Sequence, residues 1–256
     1  MRDGGGGSPT VVVPDGSFTD EDRRAFPATK GTSHAVFFTV ERDRVLLRFF
    51  TGEGELPACG HGTVAALAVL AERADVPDYR VTLSAGGREF GGRAVRRAEG
   101  FEASFDPGPV TLRDPTAVEG ELIASLVPES VGPAVVASVG RPRVLVPVRT
   151  RADLDAFTPD LDRIREVCDR LGLLGCYVYT VPDTDGRVAA RMFAPSIGVP
   201  EDVANANSTA CLAAYLSRET LIVDMGDSLS SPATIIATTR PGPDGPRVDV
   251  GGIATT

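Results

Sequence analysis

Two histidines and four cysteines are the side chains of this 256-residue sequence best suited to proton or nucleophile chemistry, and their surroundings differ. His61 lies in Ala58-Cys59-Gly60-His61-Gly62-Thr63, where an Ala/Leu-rich stretch of helical composition begins. Glycines on either side let the backbone approach a bound group closely. Cys59 is placed as a thiolate that a helix N-terminus would activate; it fits a buried small hydrophobe in a tight loop equally well. His34, in Gly31-Thr32-Ser33-His34-Ala35-Val36-Phe37, stands at the mouth of a strand-like run, where a histidine reads on local grounds as structural or solvated. Asp202, in Pro200-Glu201-Asp202-Val203, precedes a second small-residue loop and could orient a group or exchange a proton, as could Glu55 before Leu56-Pro57. Cys168, Cys176 and Cys211 fall on helix or strand positions and read as buried thiols.

Composition removes several classes. The chain carries 26 Lys+Arg against 35 Asp+Glu, a formal charge of -9, and has no basic run, so nucleic acid is not an expected partner. Two histidines give no His-rich metal site, and no two cysteines stand at zinc-finger spacing, so no metal is expected. Lys30 is the one lysine, which leaves Schiff-base chemistry a single candidate. No apolar run approaches the roughly 20 residues of a membrane span, and the start lacks a signal-peptide pattern. A cytoplasmic chain with reduced thiols and no membrane partner is the expectation. The Gly-rich start, Gly4 to Gly7, is no phosphate loop, because no Gly-Lys-Ser/Thr follows.

The residues must be positioned by short elements. Strands are expected at 10–13, 35–40, 44–50, 79–83, 92–96, 101–105, 134–139, 143–148, 175–180, 188–193, 234–239 and 247–253. Helices are expected at 20–25, 63–73, 119–125, 151–157, 161–171 and 207–218, the fifth stopped by Gly172. Asp106-Pro107-Gly108-Pro109 and Arg240-Pro241-Gly242-Pro243 read as turn and loop. Two stretches are alike. Val45–Phe50 leads through a Gly/Pro loop into Gly60-His61-Gly62-Thr63 and an Ala-rich helix; Val188–Phe193 leads through another into Asn207-Ser208-Thr209-Ala210 and a second such helix. Two matched strand–loop–helix units about 145 residues apart point to an internal duplication. Each helix start offers unpaired N–H groups and the positive end of a dipole, so facing starts would bind a carboxylate. Ala/Leu on most faces implies buried helices.

These residues carry a resemblance. Arg48-Phe49-Phe50-Thr51, Glu55-Leu56-Pro57-Ala58-Cys59-Gly60-His61-Gly62-Thr63-Val64-Ala65-Ala66, Val139–Val148, Leu154–Asp160, Arg191–Pro195, Gly198–Asp202 and Leu212–Leu216 together resemble the phenazine-biosynthesis PhzF-like family of the diaminopimelate epimerase superfamily, over almost the whole chain. The resemblance implies an α+β fold of two pseudo-symmetric domains, each a curved β-sheet around a central helix, with the site in the cleft. Domains are expected at 1–114, joined by the strand 246–256, and at 115–245. The family's first strand has no counterpart before Gly4. Homodimers are frequent in the family, so a homodimer is a candidate state.

The family's chemistry is cofactor-free proton movement in small unsaturated carboxylic acids, so no cofactor is expected. Its acid/base residue is a Glu in a Ser-Glu-Thr/Ala-x-Phe context; here His34 occupies that place in Ser33-His34-Ala35-Val36-Phe37. The motif's His and Asp match His61 and Asp202, and its Ser/Asn matches Asn207. An imidazole with an ordinary pKa of about 6.5 still takes and gives protons at neutral pH. The family's Pro-x-Thr-Gly turn is replaced by Val203-Ala204-Asn205-Ala206, so the anion pocket is expected to change. Two-base racemases of the superfamily need a thiol from each loop; Cys59 matches the first but Asn205 stands at the second, which disfavours racemisation. The expected activity is therefore an isomerase acting on a small carboxylate, such as a cyclic unsaturated amino acid of secondary or antibiotic metabolism. His34, His61 and Asp202 would be catalytic, with Cys59, Gly60, Gly62, Thr63, Asn207, Ser208 and Thr209 binding substrate. The alternatives are a catalytically silent ligand-binding protein of the same fold, and hydrolysis by a Cys59 nucleophile with His61.

Overall fold

The computed structural model describes residues 1–242 and 246–256, so Pro243 of the expected loop lies outside the described residues; Arg240 ends a strand instead. The chain divides into two compact units: Met1, Ser8–Pro107 and Gly251–Thr256 form the first, Arg2–Gly7 and Gly108–Val250 the second.

The first unit runs β1 (Thr10–Pro14), α1 (Asp20–Thr29), β2 (His34–Val40), β3 (Arg44–Thr51), β4 (Gly54–Leu56), α2 (Gly60–Ala74), β5 (Asp78–Ala85), β6 (Arg88–Arg97) and β7 (Gly100–Phe105). Its strand order is β1-β2-β3-β5-β6-β7, with β4 hairpinned onto β3. The pairs β1–β2 and β3–β5 are parallel, which a tight turn cannot achieve. Helix α1 makes the first crossover and β4 with α2 makes the second. Helix α2 packs on β1, β2, β5, β6 and β7, so the sheet curls around it. The small residues of the helix permit this: Gly62, Thr63, Ala66, Leu67, Ala68, Leu70 and Ala71 are all buried. Helix α1 covers the opposite face, where Phe18 and Phe26 pack on Ala35, Phe37 and Phe50. Its start is fixed by a reciprocal Thr19–Asp22 capping box, and Arg23 reaches back to Asp15 and Asp20.

The second unit repeats the scheme. It runs β8 (Thr111–Arg113), α3 (Ala117–Ala124), β9 (Val135–Val139), β10 (Arg141–Val148), α4 (Arg151–Ala156), α5 (Leu161–Leu171), β11 (Cys176–Thr180), β12 (Arg187–Ala194), β13 (Val199–Asp202), α6 (Ala206–Leu216), β14 (Thr220–Met225) and β15 (Ala233–Arg240). The last strand, β16 (Arg247–Ala254), divides at Val250/Gly251, its first half in the second unit and its second half in the first. The order is β15-β14-β12-β11-β10-β9-β8. The parallel pairs β10–β11 and β12–β14 are crossed by α4–α5 and by β13–α6. Both units therefore read parallel crossover over surface helices, antiparallel return, then parallel crossover through a short strand and a buried helix. This is the α+β, two-domain, diaminopimelate epimerase-like architecture. Helix α6 is its unit's central helix, with Ser208 to Ala214 all buried. Helices α3 and α5 cover the other sheet face, where Ile123, Ile164 and Val167 pack among Val144, Val146, Val178 and Phe193.

Among the described residues, four strands lie outside the expected set: the short β4, β8 and β13, and β14, a full member of the second sheet. Helix α2 starts three residues earlier than expected, so Gly60, His61 and Gly62 are its first turn rather than its approach. Among the described residues, no helix is long and apolar enough to cross a membrane.

Because α2 fills the first sheet's concave face, its fully buried Leu67 is a sensitive point. Leu67→Ala is expected to lower stability by about 2–5 kcal/mol, read as an earlier midpoint in urea.

Candidate active site

In the first unit β2 and α2 bring His34, Cys59 and His61 together. His34 is the first residue of β2, and strand alternation sets His34, Val36 and Phe38 on one face. That is the α2 face, because a Cβ on Gly62 would come within 3.1 Å of Val36 Cγ2 and of Phe49 Cδ1. The same Cβ would stand 3.0 Å from Cys59 Sγ. At position 62 even a methyl group would need these neighbours to give by a few tenths of an ångström, so glycine is what lets the helix start lie this close to the strand. The approach loop is held in a similar way: a Cβ on Gly86, at φ +55°, would lie 2.5 Å from the Pro57 carbonyl oxygen.

The outcome is a three-member cluster. The His34 and His61 rings meet edge to face with centroids 4.4 Å apart, and Cys59 Sγ lies 3.3 Å from His61 Nε2. Ser33 Oγ stands 2.8 Å from His34 Nδ1, and Thr32 Oγ1 donates to the His34 carbonyl at 3.0 Å. Cys59 is buried while both imidazoles are half-buried. Cys59 is the N-cap residue of α2 but its side chain makes no capping bond. The amides of Gly60, His61 and Gly62 therefore form the positive end of the helix beside the cluster. Thr63 belongs to the framework: its amide and hydroxyl both bond the Cys59 carbonyl, at 2.9 and 2.8 Å. Glu55, opposite Phe50 in the β3–β4 hairpin, is paired with Arg48.

In the second unit, Asp202 ends β13 and α6 begins four residues later. Glu201 anchors that strand through a paired contact with Arg191, at 2.9 and 2.8 Å, and Arg191 also donates to the Leu154 and Phe157 carbonyls. Asn205 then does two things that the sequence did not suggest. Its Oδ1 caps the Ser208 amide at 2.9 Å, and its Nδ2 donates to Asp202 Oδ2 at 2.9 Å. The expected change in this turn takes that form: residues 203–206 make it with no positive-φ residue. Ser208 and Thr209, expected to hold substrate, are turned inward and fully buried. Ser208 Oγ accepts from Arg143, and Thr209 Oγ1 bonds Tyr177 OH and the Asn205 carbonyl. Their amides are used by Asn205, which leaves Asn207 as the partly exposed member of the three. Arg143 is itself buried, and burial pulls its pKa below the ordinary value.

The remaining thiols are structural. Burial pushes Cys168 up to about 12 and raises Cys176 and Cys211 as well, so none is a thiolate at neutral pH. Cys211 is fully enclosed inside α6 and Asn205 is a cap, so α6 supplies no counterpart to Cys59.

Residues 2–256 match the family described as "Phenazine biosynthesis-like protein", PhzC-PhzF. The chain belongs to this PhzC-PhzF family. An "Uncharacterized isomerase" of Deinococcus radiodurans is 32% identical over 239 residues, 84% of this chain and 73% of that protein. A predicted epimerase from Pseudomonas aeruginosa is 28% identical with a TM-score of 0.79, over 98% of this chain and 91% of that one. A Bacillus anthracis PhzF-family structure gives a TM-score of 0.81 at 19% identity, covering 98% and 92%, and shows the shared fold. PhzF-family relatives bear isomerase names, and this chain is isomerase-like at that level.

Three substitutions at two positions probe the geometry. Gly62→Ala must displace Cys59 or β2 and is expected to cost about 1–3 kcal/mol, with altered Cys59 alkylation kinetics. Asn205→Ala removes a cap worth about 1 kcal/mol, whereas Asn205→Asp keeps the cap but sets a carboxylate against Asp202. Urea midpoints ordered wild type, then the two variants, would agree with both roles of Asn205.

Proposed function

We propose that the protein is a cofactor-independent isomerase that moves a proton within a small unsaturated carboxylic or cyclic amino acid, with His34 doing the work of the family's glutamate. The observation that carries this reading is the edge-to-face contact of His34 and His61 at the start of α2, with Cys59 against His61. Proton transfer needs a titratable group whose ring nitrogen faces the substrate and whose other nitrogen is held. Ser33 on His34 Nδ1 supplies the holding contact.

In the proposed reaction His34, as a neutral base, takes a proton from the carbon next to the conjugated system. The electron pair moves through the double bond, and the imidazolium returns the proton to a different carbon. Charge builds on the substrate carboxylate and its conjugated carbons during this step. The amides of Gly60, His61 and Gly62 are oriented donors for such charge, and need no reorganisation when it appears. His61 polarises the substrate, and Asp202, held by Asn205, takes the role of the family's aspartate. Asn207 replaces the trio Asn207–Thr209 as the binding residue of α6, since the other two are engaged in the core. Double-bond isomerisation is favoured over racemisation, because α6 presents Asn205 where a second thiol would be needed. A place in secondary-metabolite or antibiotic biosynthesis, a cytoplasmic location and a homodimer are part of the same reading.

Replacing His34 separates this from a silent binding protein. Against a panel of small unsaturated carboxylates and cyclic amino acids, His34→Ala is expected to lower kcat by about 10²–10⁴, the usual worth of one acid/base group. His34→Glu should recover a large part of that loss, since it restores the family's acid/base residue. Equal turnover by wild type and His34→Ala would assign the proton transfer elsewhere.

A further inference from the structure

Counting histidines argues against a metal site, yet both histidines of the chain meet at one point with one of its cysteines. One ligand atom from each of His34, Cys59 and His61 lies within 4.8 Å of the other two. We propose that this cluster binds a divalent transition-metal ion of the zinc type, and that the bound ion switches off the proton transfer. The switching rests on the function proposed above; the binding does not.

The distances suit such an ion. With Zn–S near 2.3 Å and Zn–N near 2.0–2.1 Å, tetrahedral angles place neighbouring S and N donors about 3.5 Å apart. Cys59 Sγ and His61 Nε2 are already 3.3 Å apart, and the widest separation needs to close by little more than about 1 Å. Ser33 Oγ on His34 Nδ1 is the outer hydrogen bond that orients a ligating imidazole, so Nε2 is the ligand nitrogen the site would use. The α2 dipole favours negative charge on the Cys59 sulfur, and Gly62 keeps that sulfur against β2.

The donor set narrows the metal. One thiolate with two imidazoles suits ions of the zinc type, as it also suits copper, and is unsuited to calcium or magnesium. Three protein ligands leave a fourth position for water or a carboxylate. On binding, the Cys59 thiol releases its proton to solvent and three lone pairs enter metal–ligand bonds, with no change in oxidation state. The imidazole lone pairs that would carry a proton are then occupied, so metal binding and isomerisation exclude each other.

The test is a titration of the metal-free full chain with Co²⁺, followed by displacement with Zn²⁺. One equivalent of Co²⁺ is expected, with strong visible bands of a four-coordinate ion and a near-ultraviolet sulfur-to-cobalt band. Cys59→Ser should abolish the near-ultraviolet band. His34→Ala, at a half-exposed position, should weaken Zn²⁺ binding at least about hundredfold, because losing even an outer-shell partner costs 10–100-fold. Circular dichroism checks that each variant is folded. Absence of stoichiometric binding, or cobalt spectra unchanged in folded Cys59→Ser, would overturn the site. One equivalent of Co²⁺ or Zn²⁺ should abolish turnover of the responsive panel member and a chelator restore it; full turnover by the cobalt-loaded protein, its spectrum intact, would overturn the switch. The titration reads the metal and not the product, so its failure is distinguishable from failure of the proposed isomerisation.

Discussion

A single methyl group at position 62 would meet a sulfur, an aromatic ring and a valine, each at or near 3.0 Å. That closeness is the constraint on which the candidate site depends. Glycine at this position lets the first turn of α2 lie close on β2 and β3, where His61 meets His34 and Cys59. The glycine costs helix propensity. The remainder of the first unit offsets this by wrapping a sheet around an Ala/Leu helix whose small side chains admit close packing.

The duplicated scheme has been specialised differently in its two copies. At α2 the N-cap is a cysteine whose side chain makes no capping bond, which leaves the dipole end beside two imidazoles. At α6 the N-cap is Asn205, which satisfies one orphan amide and holds Asp202. The first helix start carries the histidine–cysteine cluster, whereas the second is tied into the core, its Ser208 and Thr209 spent on Arg143 and Tyr177. Arg143 bonds Ser208 and the Arg141 carbonyl, which ties the start of α6 to β10.

The repeat was legible in the sequence because each copy keeps a strand of β-branched and aromatic residues, a Gly/Pro loop and an Ala-rich helix. His61 and Cys59 were legible from their glycines. His34 read locally as structural, and only the surrounding Ser-x-Ala-x-Phe pattern drew it out. Its contact with His61 joins residues 27 positions apart and depends on the register of β2 against α2, which no local pattern encodes. The strand β14 carries the period-2 burial of Leu221, Val223 and Met225, a signal that was present but stood next to the end of α6. The short strands β4, β8 and β13 were not legible, since three or four residues beside Gly or Pro are strands only when a neighbour pairs with them. Asn205 read only as an absent thiol, because a cap that also bonds an aspartate is a property of the folded turn. Likewise Ser208 and Thr209 looked available at a helix start, and the inward direction of their side chains is decided by packing on Arg143 and Tyr177.

Proton transfer through His34 is most directly tested by solvent exchange. Wild type and His34→Ala would each be incubated in deuterated water with the panel of unsaturated carboxylates and cyclic amino acids, and followed by proton NMR and mass spectrometry. The predicted result is deuterium at a single carbon next to the conjugated system with wild type, and its loss with His34→Ala. Isomerisation undiminished in His34→Ala, or no isomerised or deuterated product from any member of the panel with wild type, would contradict the account.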